Sequence, residues 1–259
     1  MELTQEMMRG GSMDMGYFAR RRSVRHFHQE PLDDNIIATI VRQATKAPTT
    51  GNMQLYSVIA TRQPKNKAKL AELHFCQPAT EAPVLLTICA DFHRFNRWCE
   101  LSGTKAGFGN LQGFLYGVFD ATILTQQITT IAELHGLGTC ILGTTAFNAP
   151  EIAELLKLPK GVVPLLTLAI GIPDGEGEAT ERLPEDGILY WEKYPEWANE
   201  EVADFYAAKD GFEPNKKYVE ENHKPSLAHV FTEIRYPESM NTEFSTKLNN
   251  WLKEQGINL

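Results

Sequence analysis

Four arginines fall within six residues, Arg20, Arg21, Arg22 and Arg25, with Ser23 among them. An even spread of the 25 Lys and Arg over 259 residues would leave fewer than one in such a window. Guanidinium groups are always charged and grip phosphate oxygens in pairs, and a neighbouring hydroxyl adds a donor. The segment therefore suits a phosphate, although a solvated basic face or a localisation patch would use the same residues. A second polar group, Ala47-Pro48-Thr49-Thr50-Gly51-Asn52-Met53-Gln54, offers hydroxyls, an amide and a glycine that permits close backbone approach. It could line the polar edge of a heterocycle, or simply end a helix in a Thr- or Asn-capped turn. A third, Thr180-Glu181-Arg182-Leu183-Pro184, places another arginine in a loop, where solvation alone accounts for most arginines.

General catalytic signatures fail. Gly138-Thr139-Cys140-Ile141-Leu142-Gly143-Thr144-Thr145 has the glycine spacing of a phosphate-binding P-loop, but Thr144 stands where the phosphate lysine is required. Gly136-Leu137-Gly138 continues to Ile141 instead of a third glycine, and it follows a helix where a dinucleotide fingerprint must follow a strand. There is no G-x-S-x-G elbow and no H-E-x-x-H pair, which removes support for hydrolase and kinase chemistry. Cys76, Cys89, Cys99 and Cys140 are scattered without a C-x-x-C pair, the pattern of reduced, mostly buried thiols in a cytoplasmic protein. His26 and His28 are the nearest approach to a metal pair, and two residues do not make a site.

The elements that must carry these groups can be read from periodicity. A short helix is expected over Met13–Arg22. Asp33 should cap a second, with Ile36, Ile37, Ile40, Val41 and Ala44 as its apolar stripe, stopping near Ala47 because the residue before Pro48 disfavours the helical region. Leu55–Thr61 reads as a strand, Lys65–Phe75 as a helix and Pro83–Asp91 as a continuously apolar, buried strand. Asn110–His135 is a long helix apolar around most of its circumference, which calls for cover on most sides, one source of which is a second subunit. Gly136 ends it. Thr139–Leu142 is a short strand, Pro150–Leu156 a helix and Val163–Ile172 a second buried strand. Beyond Pro173 the chain turns polar, with helices over Glu196–Ala208 and Ser239–Gln255 joined by a Pro-punctuated stretch. Interleaved strands and longer helices give an α+β or α/β sheet protein, read as one domain over 1–259 with a core at 16–190 and an extension at 191–259.

Composition limits the partners. The chain has 33 Asp+Glu against 25 Lys+Arg, a net charge of −8, with 42% hydrophobic and 22% charged residues. An acidic surface argues against nucleic acid or an anionic membrane as partner. No apolar run reaches the ~20 residues of a membrane helix, and Glu2, Glu6 and Asp14 do not fit a signal peptide.

The order of these pieces resembles the nitroreductase family of FMN-dependent oxidoreductases. The resemblance runs through Arg21-Arg22-Ser23-Val24-Arg25, Ala47–Gln54, Glu81-Ala82-Pro83, Cys89-Ala90-Asp91, Asp120-Ala121, Leu137–Gly143, Leu158-Pro159, Ala169–Pro173 and Arg182-Leu183-Pro184. It covers roughly residues 16–190, and the remainder is similar to the longer, NADPH-preferring flavin-reductase branch. It implies an α+β, three-layer fold with a mostly antiparallel sheet flanked by helices, in a domain-swapped homodimer with FMN at the interface.

By the same resemblance Arg21, Ser23 and Arg182 bind the FMN phosphate, and Arg25 sits by the ribityl chain and one ring edge, where positive charge favours hydride acceptance. Pro48, Thr49, Thr50 and Asn52 line the ring from the other subunit. Ile141, Leu142 and Gly143 offer backbone groups, and Gln77 matches a glutamine that touches the ring. Thr180 stands where the family often has a lysine, leaving Arg22 or Arg20 to compensate. The chemistry implied is ping-pong transfer from NADPH or NADH, through FMN, to a nitroaromatic, quinone or flavin. Lys216, Lys217, Lys224 and Arg235 are candidates for the NADPH 2′-phosphate, or ordinary surface. Alternatives on the same fold are reductive dehalogenation, flavin remodelling, or an FMN store or sensor without turnover.

Overall fold

The computed structural model describes residues 16–177 and 179–259, and the chain divides into two compact units, 1–178 with 245–259, and 179–244. The first holds four antiparallel strands: β1 (Tyr56–Thr61), β2 (Val84–Asp91), β3 (Gly138–Leu142) and β4 (Val162–Gly171), in the order β1-β2-β4-β3. Every residue of β2 is buried, as its unbroken apolar sequence requires of a central strand covered on both faces. The ladder between β2 and β4 slips between Ile88 and Cys89, so that Ile88 faces Leu166 and Cys89 faces Pro164. Proline has no N–H to give a ladder, and a bulge is where an interior strand tolerates one.

Alternation along the strands sorts side chains into two cores. Val84, Leu86, Ile88, Leu168 and Ile170 pack with Ile37, Ile40 and Ala44 of α2 (Asp34–Ala44) and with Ala121, Leu124 and Ile128 of α5 (Leu111–Leu134). On the opposite face Leu85, Cys140, Leu142 and Ala169 pack with Leu70 of α3 (Pro64–Leu73) and Ile152 of α6 (Ala149–Leu155). The result is α+β: a helical layer, the sheet, and a second helical layer. Each fully buried Leu or Ile contributes roughly 1.5–3 kcal/mol.

The ends of the elements follow local chemistry. The Asp33 carboxylate accepts from Asn35 N at 2.8 Å to start α2, which stops at Ala44, three residues before the sequence limit at Ala47. Asn110 caps α5 by accepting from Gly113 N at 2.9 Å. At its other end Gly136 takes φ 78°, Gly136 N donates to Glu133 O and Leu137 N to Ala132 O, both at 3.0 Å. This closure needs a left-handed residue, which glycine supplies. Among the described residues the expected enclosure of α5 is incomplete: Asp120, Leu124 and Ile128 are buried, whereas Leu111, Phe119, Ile123 and Leu134 are exposed.

Several expectations are corrected. Of the helix expected at Met13–Arg22, α1 covers Gly16–Arg20, residues 13–15 lie outside the described residues, and Arg21-Arg22 have left the helix. Helix α4 (His93–Leu101) was not expected at all. In the second unit α7 is Asn199–Gly211, and the Pro-punctuated stretch after it forms α8 (Glu213–Glu221) and α9 (Leu227–Val230). Helix α10 (Glu238–Glu254) ends in the first unit, where Leu252 and Ile257 pack with Leu55, Phe92 and Val163. None of the four cysteines forms a disulfide; Cys89, Cys99 and Cys140 are buried. Among the described residues no helix is long and apolar enough to cross a membrane, and no His, Cys, Asp or Glu cluster could hold a metal.

Candidate functional site

After α1 the arginine segment runs extended beside the sheet. Val24 N donates to Thr139 O of β3 at 2.9 Å, and Phe27 bridges to Pro173 just past β4. Gly138 permits this approach, because a Cβ there would lie 2.9 Å from the Val24 side chain. Arg20, Arg21 and Arg22 line a cavity of about 410 Å³, together with Tyr17, Glu133 and Glu176. Arg21 Nε is buried and without a hydrogen-bond partner among the described residues, 3.7 Å from Glu133 Oε2. Arg22 Nη1 lies 3.5 Å from Glu176 Oε2. Glu133 is held in turn by the Tyr17 hydroxyl at 2.6 Å and the Thr139 hydroxyl at 2.5 Å. Burial and the Glu133 carboxylate push the Tyr17 phenol up to about 12, so it stays a donor. Arg21 and Arg22 each face one carboxylate, and the orphaned Arg21 Nε is a donor awaiting an acceptor. Ser23 and Arg25, half-buried, follow in the same extended run.

The Pro48–Asn52 loop is strained and doubly anchored. Gly51, Asn52 and Gln54 have φ of 55°, 56° and 56°, a conformation that costs non-glycine residues about 1–2 kcal/mol each. Asp120, buried in α5, accepts from Thr50 N at 2.7 Å through one oxygen and from Leu55 N at 3.0 Å through the other. Arg94 of α4 donates to Gln54 O at 2.8 Å and Tyr56 O at 2.9 Å, and sits 3.4 Å from Asp91. The sequence marks Asp120 only as part of the Asp120-Ala121 pair and gives no sign of Arg94. The available signal was a lone carboxylate in the apolar first two-thirds of a helix, where only a specific partner justifies it.

Gln77 and the turn after β3 come together. Gln77 Nε2 donates to Thr144 Oγ1 at 3.1 Å, next to Gly143, which is exposed with open space where a Cβ would stand. Leu142 is buried in the core, so it can offer a ligand only backbone, and Ile141 is half-buried. Beneath them His74 is fully buried, with Nδ1 at 2.8 Å from Thr144 Oγ1 and Nε2 at 3.2 Å from Thr167 Oγ1. Burial pushes the imidazole down to about 4, so it is neutral at neutral pH.

Arg182 belongs to the second unit. Its Nη1 donates to Thr180 O at 3.1 Å, to Glu181 O at 2.8 Å and to the Thr180 hydroxyl, so Thr180 holds the arginine's own side chain. In the same unit Lys216, Lys217 and Lys224 face Glu213, Glu221 and Glu233 at 2.6, 3.7 and 2.7 Å, and Arg235 lies 4.5 Å over the Tyr218 ring. Three of the four 2′-phosphate candidates are thus already matched with carboxylates.

Within one chain the arginine cavity and the Pro48–Asn52 loop lie far apart. Glu133 beside Arg21 lies 13 residues along α5 from Asp120 beneath the Pro48–Asn52 loop, about 20 Å at 1.5 Å per residue.

A model of the nitroreductase family matches residues 18–172. An FMN reductase [NAD(P)H] of Bacillus subtilis (strain 168) is 37% identical over 176 residues, which are 67% of this chain and 71% of that one. An FMN reductase (NADPH) of the same strain is 28% identical over 241 residues, 92% of this chain and 95% of its own. A solved structure from Bacteroides fragilis NCTC 9343 is 38% identical, superposes with a TM-score of 0.92 and covers 95% of this chain and 100% of that chain.

Proposed function

Because the chain belongs to the nitroreductase family, we propose that it is an FMN-dependent NAD(P)H oxidoreductase acting on nitroaromatics, quinones or flavins. The observation that carries this reading is the arginine cavity, with the buried Arg21 Nε left without an acceptor. The donor set fits the phosphate of FMN: planar, permanently charged guanidinium groups and a serine hydroxyl on a segment held rigid by β3. The names of the relatives, two of them FMN reductases, supply the identity of the phosphate's owner.

Bound FMN supplies hydride acceptance from NADPH or NADH and two-electron delivery to a second substrate, in two half-reactions at one site. Everything the chain does is positioning and electrostatics, which accords with a sequence holding no nucleophile or acid–base dyad. Arg21 and Ser23 grip the phosphate, with Arg22 and Arg20 adding charge in place of the family lysine. For Arg182 the role rests on the resemblance alone. Arg25 places positive charge beside the ring edge where electron density accumulates on reduction. Gln77 and the backbone of Ile141, Leu142 and Gly143 meet the ring from the turn after β3.

Pro48, Thr49, Thr50 and Asn52 complete the site from a second copy of the chain, in a domain-swapped homodimer. The separation of about 20 Å between the cavity and the loop in one chain supports this arrangement, as does the apolar face of α5 at Phe119 and Ile123. The four cysteines, none of them in a disulfide, fit a reducing compartment, and we assign the protein to the cytoplasm.

A comparison of FMN with riboflavin tests the phosphate site directly. Titrated with each and followed by flavin fluorescence, the protein should bind FMN at least about a hundredfold more tightly, the worth of two charge-assisted contacts. Equal affinity for the two would remove the arginine cavity from the function.

A further inference from the structure

The hydrogen bonds around His74 are all satisfied within the group in one direction. Gln77 Nε2 donates to His74 O at 3.2 Å as well as to Thr144 Oγ1. A carbonyl only accepts, so this atom must be the amine of the Gln77 side chain. Having accepted from Gln77, the Thr144 hydroxyl passes its own proton to its other neighbour, His74 Nδ1. The ring then carries its single proton on Nε2 and donates to Thr167 Oγ1. The Thr145 and Thr167 hydroxyls lie 3.0 Å apart, and Thr145 gives its one proton to Leu142 O at 2.9 Å, so the proton between the two threonines is assigned to Thr167. Every proton of the chain is placed once, and the chain closes on the backbone of β3. The reverse direction leaves the Thr144 proton with no acceptor among these groups, and makes the one proton of Thr145 serve both Thr167 Oγ1 and Leu142 O.

We propose that His74 is a positioning residue: as its Nε2–H tautomer it sets the direction of this chain and so presents Gln77 Oε1, the remaining polar atom of that amide, as a hydrogen-bond acceptor to the ligand. The chain accordingly selects a ligand with an N–H edge at Gln77. The identity of that ligand as FMN rests on the function proposed above, whereas the tautomer does not. Burial of the ring supports the neutral form that the relay requires. The backbone is bent to bring these groups together, since Phe75 and Cys76 take φ of 57° and 51° between His74 and Gln77.

Two measurements test this. In FMN-free protein labelled with 15N at histidine, long-range 15N–1H spectra at pH 7 should show His74 protonated on Nε2 and bare on Nδ1, the resonance being identified by its loss in His74→Gln. A ring protonated on Nδ1, or on both nitrogens, would overturn the proposal. Thr144→Val keeps the side-chain shape and removes the hydroxyl that joins Gln77 to His74, whereas Thr144→Ser keeps it. The FMN dissociation constant should rise about tenfold in Thr144→Val and return to near the native value in Thr144→Ser. Equal binding by native, Val and Ser proteins would also overturn the proposal, and so would equal weakening in both variants. If the native protein takes up no FMN, the flavin reading is what fails, and the tautomer spectrum alone decides the relay.

Discussion

Replacing Asp120 by Asn keeps the size of the side chain and removes one of its two acceptors. In the native protein the two carboxylate oxygens take the N–H groups of Thr50 and Leu55 at 2.7 and 3.0 Å, at either end of a loop with three residues at positive φ. A hydrogen bond to a charged group contributes roughly 1.5–3 kcal/mol, and a buried N–H left facing an amide NH2 costs about 1–3 kcal/mol. We expect Asp120→Asn to lose about 2–4 kcal/mol of stability. Against a total of about 5–15 kcal/mol the variant still folds. Urea unfolding of the FMN-free protein gives the stability change, and fluorescence titration gives the FMN dissociation constant. The loop should loosen as well, so FMN binding weakens beyond what the unfolded fraction accounts for. A variant with native stability and native FMN affinity would refute the idea that Asp120 holds the loop in its working shape.

Arg182→Ala should weaken FMN retention far more than Lys224→Ala, whose ammonium is matched by Glu233; equal flavin content after dialysis would take Arg182 out of the site. His74 is held at about 4 in the folded chain against 6.5 when unfolded. The unfolded state therefore binds the proton more readily, and the contribution is complete above pH 6.5 and lost as pH falls towards 4, on the order of 3 kcal/mol in all. Unfolding free energies measured from pH 7 to 4 should show this slope in native protein and a flatter one in His74→Gln, and equal slopes would contradict it. Ile123→Glu puts a charge on the exposed apolar face of α5; sedimentation should find monomers with little bound FMN, and a flavin-loaded monomer would rule out a site shared between copies.

What the amino-acid order discloses depends on how local the cause is. Strand β2 and helix α5 are legible because an unbroken apolar run and an Asn cap with a Gly stop act within a few residues. Helix α4 is not, because His93–Leu101 buries only Cys99 and follows Phe92, which offers no cap. Helices α8 and α9 are hidden in the same way, behind polar residues and prolines. Among the site residues, the arginines declare themselves by type and crowding. The roles of Asp120 and His74 depend on partners 65–93 residues away. A lone Asp in an apolar helix marks a position as unusual without saying which backbone groups it holds. Nothing around His74 in sequence distinguishes it from a surface histidine at the end of α3.

We propose that this chain passes electrons from a nicotinamide to a second substrate through FMN held by the arginine segment. Anaerobic addition of NADPH or NADH to FMN-loaded protein tests it, with the visible absorbance of the flavin followed in a stopped-flow instrument. Bleaching by at least one of the two, and recovery of the colour when a quinone, nitroaromatic or free flavin is added, is the result expected. A protein that takes up no FMN, or whose bound FMN neither nicotinamide bleaches, would contradict it.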